Sequence, residues 1–193
     1  ADVAYAGVVG LCNGGVMTDC TNNAKITLVS LAGETNCAVN AGGVVGGAVN
    51  GCKFNGLVNN GDITFSGSTK KNFYLSGVVG RAVGTSGQIP FTELNNCTNN
   101  GDITIDADMV DITKGYFRIG GVCSWSQCLC ENFTNNGDIN ISSRLYNAES
   151  AAHCLCIGGI VGYKTVSAVS NNTNNGAIVL NGSLKVDDAV LKA

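Results

Sequence analysis

The stretch Asn99-Asn100-Gly101-Asp102-Ile103-Thr104-Ile105 decides the fold. It recurs as Asn59-Asn60-Gly61-Asp62-Ile63-Thr64-Phe65 and as Asn135-Asn136-Gly137-Asp138-Ile139-Asn140-Ile141. Worn copies stand at Asn22-Asn23-Ala24-Lys25-Ile26-Thr27-Leu28 and Asn174-Asn175-Gly176-Ala177-Ile178-Val179-Leu180. Asn-Gly favours the positive-φ backbone of a tight turn. The Ile-x-(Ile/Leu/Phe) that follows alternates apolar and polar, as a half-buried strand does. Each copy therefore reads as a turn that opens a strand.

A second phrase precedes each of these turns. It is Gly7-Val8-Val9-Gly10, Gly43-Val44-Val45-Gly46, Gly77-Val78-Val79-Gly80, Gly121-Val122-Cys123-Ser124 and Gly159-Ile160-Val161-Gly162. The Asn-Asn pairs recur at spacings of 37, 40, 36 and 39 residues. Repeats of this length mark solenoids or propellers. The length variation falls in polar stretches such as 66–72, 106–114 and 142–151, which read as loops.

Aligning the units in columns shows what each position requires. Ile26, Ile63, Ile103, Ile139 and Ile178 form one apolar column, and Leu28, Phe65, Ile105, Ile141 and Leu180 another. Val3, Val39, Phe73, Phe117 and Leu155 form a third, followed two residues on by Tyr5, Ala41, Leu75, Ile119 and Ile157. Met17, Phe54, Leu94, Cys130 and Val169 form a fifth. No unit can bury such a face alone, whereas parallel stacking buries a continuous core. The sequence predicts an all-β chain, a parallel β-solenoid (β-helix) of about five rungs with three short strands per rung. At ~4.8 Å per strand, five rungs span roughly 24 Å. The alternative is a five-bladed β-propeller, which needs four strands per unit. Residues 1–193 form a single repeat domain with units near 1–30, 37–66, 72–106, 115–143 and 153–182. Residues 183–193 are a cap or the start of a further rung, with Leu184, Val186, Val190 and Leu191 available to cover the last one.

Gly42-Gly43-Val44-Val45-Gly46, Gly158-Gly159-Ile160-Val161-Gly162 and Asn96-Cys97-Thr98-Asn99-Asn100-Gly101-Asp102-Ile103 resemble the GLUG-type repeats of bacterial surface proteins, common in gut Bacteroidetes and Firmicutes. The resemblance extends over all five units. It implies a secreted or surface-anchored repeat region linked to adhesion, and carries no catalytic residues. This chain departs from the family in its longer units and added loops.

Composition limits the function classes. Only 13% of residues are charged, the net charge is −3 and no basic block exists, so nucleic-acid binding has no electrostatic footprint. No apolar run approaches a membrane span. No signal peptide is visible, so Ala1 reads as a mature N-terminus or as a cut inside a longer chain.

Stacked turns would align Asn22, Asn59, Asn99, Asn135 and Asn174 as a structural amide ladder. Asp62, Asp102 and Asp138 would form an acidic column beginning at Lys25. At ~5 Å spacing such charges repel by roughly 3 kcal/mol at an effective dielectric of 20 and by under 1 in water. The column therefore reads as a solvated ridge, with a calcium site bridging neighbouring carboxylates as the sharper alternative. Acid pairs on β-solenoids can also cleave polysaccharides, but no Lys or Arg shares the column near Asp102. Arg81, Trp125 and Tyr163 occupy one column, and Tyr74 and Arg118 another. Facing outward, they would make a glycan-binding stripe.

Ten cysteines occur. Cys20, Cys97, Cys123 and Cys130 fall in apolar columns and behave as small hydrophobes. Cys128-x-Cys130 and Cys154-x-Cys156 lack zinc-ribbon spacing, and Cys37 and Cys154 are the candidates for bridging or reactivity. His153, the only histidine, adjoins Cys154, but neighbours in extended chain point to opposite sides. Asn-x-Ser/Thr occurs at Asn96, Asn132, Asn140, Asn171 and Asn181, a pattern that so Asn- and Thr-rich a chain generates by chance.

The sequence therefore points to an extracellular structural or adhesive module of a cell-surface protein, stalk or fibre, not an enzyme. A carbohydrate-binding module is the alternative, and a polysaccharide lyase or hydrolase the third reading. No cofactor is expected apart from the calcium alternative. The expected partners are further copies or flanking domains, and glycans in the second reading.

Overall fold

The computed structural model describes residues 2–30, 38–69, 71–84, 92–111, 115–148, 155–165 and 168–186. Among them are 25 strands and no helix. The strands stack into five parallel sheets, each taking one strand from each repeat. Sheet I comprises Val3–Ala6, Val39–Gly42, Phe73–Ser76, Phe117–Gly120 and Leu155–Gly158. Sheet II comprises Val9–Asn13, Val45–Val49, Val79–Ala82, Cys123–Ser126 and Val161–Lys164. Sheet III comprises Val16–Thr18, Lys53–Asn55, Glu93–Asn95, Leu129–Glu131 and Val169–Ser170. Sheet IV holds five two-residue strands that end on Asn22, Asn59, Asn99, Asn135 and Asn174. Sheet V comprises Ile26–Val29, Ile63–Thr69, Ile103–Asp111, Ile139–Ala148 and Ile178–Val186.

The chain is a five-turn parallel β-solenoid. A propeller blade would pair strands within one unit, whereas these strands pair with their equivalents in the adjacent unit. The columns hold residue for residue. Val3, Val39, Phe73, Phe117 and Leu155 are in register. So are Ile63, Ile103 and Ile139, exposed by 1%, 0% and 0%.

Three local expectations are corrected. Each turn carries five strands rather than three. The chain bends inside the Gly-Val-Val-Gly phrase, and the apolar pattern continues across the bend. The polar stretches after Ser66, Asp106 and Ser142 are not wholly loops, since sheet V runs on through them to Thr69, Asp111 and Ala148. Ala107 stays buried between exposed Asp106 and Asp108, as strand alternation requires, and Val110 is buried beyond the register shift that falls between Gly67 and Ser68 of the neighbouring strand. Residues 184–186 likewise pair in sheet V with Tyr146, Asn147 and Ala148 of the fourth turn, after a register shift. Residues 187–193 lie outside the described residues.

The third correction concerns the turns. Gly61, Gly101 and Gly137 do not take positive φ. They are small because the preceding turn leaves no room: a Cβ on Gly101 would lie 2.2 Å from the Gly61 carbonyl oxygen. The left-handed corner falls three residues before each inner Asn, at Asp19, Gly56, Asn96, Asn132 and Asn171. Asn and Asp tolerate that conformation better than other side-chain-bearing residues. Three of the Asn-x-Ser/Thr matches, Asn96, Asn132 and Asn171, are thus corner residues.

Two cores run along the axis. One lies between sheets I and V and includes Phe73, Leu75, Ile103, Ile105, Phe117 and Ile119. The other includes Val45, Val79, Phe54, Leu94, Cys97 and Phe133. Sheet I therefore has a second face, turned toward sheet II.

Candidate functional site

Three side-chain arrays run along the axis. The first is the predicted ladder. Asn22 Nδ2 donates to Asn59 Oδ1, Asn59 to Asn99, Asn99 to Asn135 and Asn135 to Asn174, each at 2.8 Å. The other N–H of each amide closes its own turn by donating to the carbonyl two residues on, as from Asn99 to Gly101 at 2.8 Å. Asn59, Asn99 and Asn135 are fully buried. Both amide hydrogens are satisfied, so this polar column sits in the interior without an orphaned donor.

A second ladder, which sequence reasoning missed, runs beside it on the solvent side. Asn60 Nδ2 donates to Asn23 Oδ1, Asn100 to Asn60, Asn136 to Asn100 and Asn175 to Asn136, at 2.7 or 2.8 Å. The direction is reversed: inner amides donate to the following turn, outer amides to the preceding one. The doubled Asn in every phrase was the signal.

Asp62, Asp102 and Asp138 stand in one column, with Asp62 and Asp102 exposed and Asp138 half-buried. Each carboxylate caps the turn above it. Asp62 Oδ1 accepts from the Asp102 amide at 3.0 Å, Asp102 from Asp138 at 2.8 Å and Asp138 from Ala177 at 2.7 Å. Each carboxylate thus has a backbone donor to offset repulsion along the column. Among the described residues, no group of three or more His, Cys, Asp or Glu is placed to hold a metal ion.

The third array fills the space between sheets I and II. Arg81, Trp125 and Tyr163 are in register on sheet II, and Tyr74 and Arg118 on sheet I. The two columns face each other, so the structure brings all five residues together. The Arg118 guanidinium lies over the rings of Tyr163 at 3.7 Å and Trp125 at 4.7 Å. It also lies over Tyr116, a residue not foreseen, at 4.2 Å. Arg81 lies over Trp125 at 4.7 Å and pairs with Asp2 at 3.3 Å. Arg118 is 4% exposed and Tyr74 1%. The cations and rings therefore stack on one another instead of forming an open platform. Burial pushes the Tyr74 hydroxyl pKa up, against the opposing pull of Arg118. Arg118 Nε and Nη1 and Trp125 Nε1 are buried without a hydrogen-bond partner. On the outer side, Arg81 and Trp125 share a groove of about 500 Å³ with Asn50 and Gln127.

The eight described cysteines are free thiols. Burial pushes Cys97 up to about 12 and Cys128 to about 11, and raises Cys123 and Cys130. Thiols held protonated are poor nucleophiles and poor metal ligands. Cys37, His153 and Cys154 lie outside the described residues.

No protein-family model matches the chain, and no curated protein or solved structure matches it. Among the described residues, no helix is long and apolar enough to cross a membrane.

Proposed function

We propose that the chain is a structural repeat module of an extracellular or cell-surface protein, serving as a stiff spacer in a stalk or fibre. The observation that carries this reading is the inner amide ladder, unbroken from Asn22 to Asn174. It rigidifies the axis and contributes nothing to a reaction. The resemblance to GLUG-type repeats supports a surface location and an adhesive setting. The Asp column, engaged with backbone amides, favours a structural role over polysaccharide cleavage or calcium binding.

The groove beside Arg81 and Trp125 favours a second reading, a carbohydrate-binding module whose partners are glycans. A glycan array and a polysaccharide depolymerisation screen on the isolated chain test both. The structural reading expects neither binding nor cleavage. Binding lost in Trp125→Ala would replace it with the carbohydrate reading, and cleavage lost in Asp102→Ala with an enzymatic one.

A further inference from the structure

The corner between sheets II and III is filled by two columns that compensate for each other in size. Cys12, Ala48, Ala82 and Ser126 are in register in the first. Gly15, Cys52, Thr92 and Cys128 form the second, each one residue ahead of a sheet III strand whose register is shared. In three turns the larger side chain stands in the second column, with Ala or Ser in the first. The first turn reverses this, with Cys12 as the larger residue and Gly15 as the smaller.

The reversal brings two thiols from adjacent turns together. Cys12 Sγ lies over the empty side of Gly15, 3.5 Å from where a Cβ would stand. Cys52 stacks directly on Gly15, and the neighbouring Lys53 amide donates to the Gly15 carbonyl at 2.8 Å. Cys52 Sγ lies 3.4 Å from the Cys12 carbonyl oxygen and 3.1 Å from that of Val49. The Cys12 thiol is in turn hydrogen-bonded to the Cys52 thiol. The pair also differs in access: Cys12 is half-buried, whereas Cys52 is fully buried. One sulfur can meet a reagent, and the other waits behind it.

We propose that Cys12 and Cys52 form a disulfide that staples the first turn to the second, made by exchange with a small-molecule disulfide. The Cys12 thiolate attacks one sulfur of the reagent and releases one thiol. The Cys52 thiolate then attacks the Cys12 sulfur of the mixed disulfide and releases the second. One S–S bond is broken in the reagent and one is made in the protein. The two thiol protons end on the two released thiols, and the reagent is the species reduced. The bond closes a long loop, which restricts the unfolded chain. It goes beyond the structural-module reading: the pairing rests on the corner geometry alone, and oxidising surroundings outside the cell would preserve it. Burial and the hydrogen bond to Cys52 push the Cys12 thiol up to about 11, so the exchange should be slow at neutral pH and faster in mild alkali.

Peptide mapping by mass spectrometry tests this. The folded chain is incubated with oxidised glutathione in mild alkali, its remaining thiols are alkylated and it is digested. The parent should yield a peptide in which Cys12 is linked to Cys52, and the intact chain should lose two hydrogens. Its Tm should rise on oxidation and return when reductant is added. In Cys52→Ala the second step is blocked, so Cys12 should retain one glutathione. A parent that keeps glutathione on Cys12 overturns the proposal, because Cys52 then fails to resolve it. A link from Cys12 to any other cysteine overturns it as well, and so does a Cys12 that stays unmodified. These outcomes are read from the parent and stand even if Cys52→Ala loses its parental circular dichroism.

Discussion

Gly77 lies directly against Asn99: a Cβ built on the glycine would come within 2.1 Å of the asparagine Cγ. The same contact recurs between Gly43 and Asn59, Gly121 and Asn135, and Gly159 and Asn174. The Gly-Val-Val-Gly and Asn-Asn-Gly phrases are therefore two halves of one packing contact. The first supplies the empty space that the buried ladder of the second occupies.

Gly77→Ala should accordingly be costly, because the new methyl also meets the Gly121 carbonyl oxygen at 2.2 Å. A loss of about 3 kcal/mol is expected, a fall in Tm of roughly 6–12 °C. Gly15→Ala is the control, since its nearest neighbour would be the Cys12 sulfur at 3.5 Å and its φ is not positive. That variant should lie within about 1 kcal/mol of the parent. Equal melting of the two variants would refute the contact.

The two ladders should respond differently to one substitution. Asn99→Asp turns a donor into an acceptor facing Asn135 Oδ1 and the Gly101 carbonyl, inside the core. It should cost several kcal/mol by denaturant titration. Asn100→Asp, one residue away on the exposed ladder, should cost under about 1 kcal/mol. Similar losses at both sites would contradict the division into buried and solvated ladders.

Capping and calcium binding make separable demands on the acidic column. Asp102→Ala removes the acceptor of the Asp138 amide and should cost about 1 kcal/mol. Asp102→Asn keeps an Oδ1 and should be near neutral. Added calcium or chelator should not move Tm. A chelator-sensitive Tm that becomes insensitive in Asp102→Asn would instead establish a calcium site.

The buried thiols set an alkaline limit. The Cys97 pKa rises from an ordinary 9.0 to about 12 because burial disfavours the thiolate. A pKa raised in the folded state contributes stability that is present below the unfolded pKa and lost as pH climbs toward the folded one. Tm should therefore hold up to about pH 9 and fall between pH 9 and 12. Cys97→Ala should flatten that decline. An unchanged alkaline slope would place the loss on other groups, with raised Tyr74 the next to test.

The columns were legible in the sequence because stacking makes every rung obey the same side-chain alternation. Ile103 over Ile63 and Trp125 over Arg81 follow from counting alone. The bends were not legible. Val78 and Val79 are both fully buried although the chain turns between sheets I and II beside them, so apolar parity carries no mark of the corner. The left-handed column was visible as Asp19, Asn96, Asn132 and Asn171, but Asn is so frequent that the choice needed the backbone. The meeting of Tyr74 and Arg118 with Arg81 and Trp125 depends on sheet I folding back along sheet II, a distance no local pattern encodes. Sheet V ran beyond its expected limit because Ser, Thr and Asp on its outer positions look like loop residues when their partners are as small as Ala107.

The opposed directions of the two amide ladders have an electrostatic consequence for length. In an α-helix the peptide dipoles align, and partial charges of about half an electron gather at the termini. Here the Asn99 amide points one way along the axis and the adjacent Asn100 amide the other. Their moments cancel within each rung, so lengthening the ladders does not increase a net side-chain moment. The number of turns is free to vary without an electrical cost from this source.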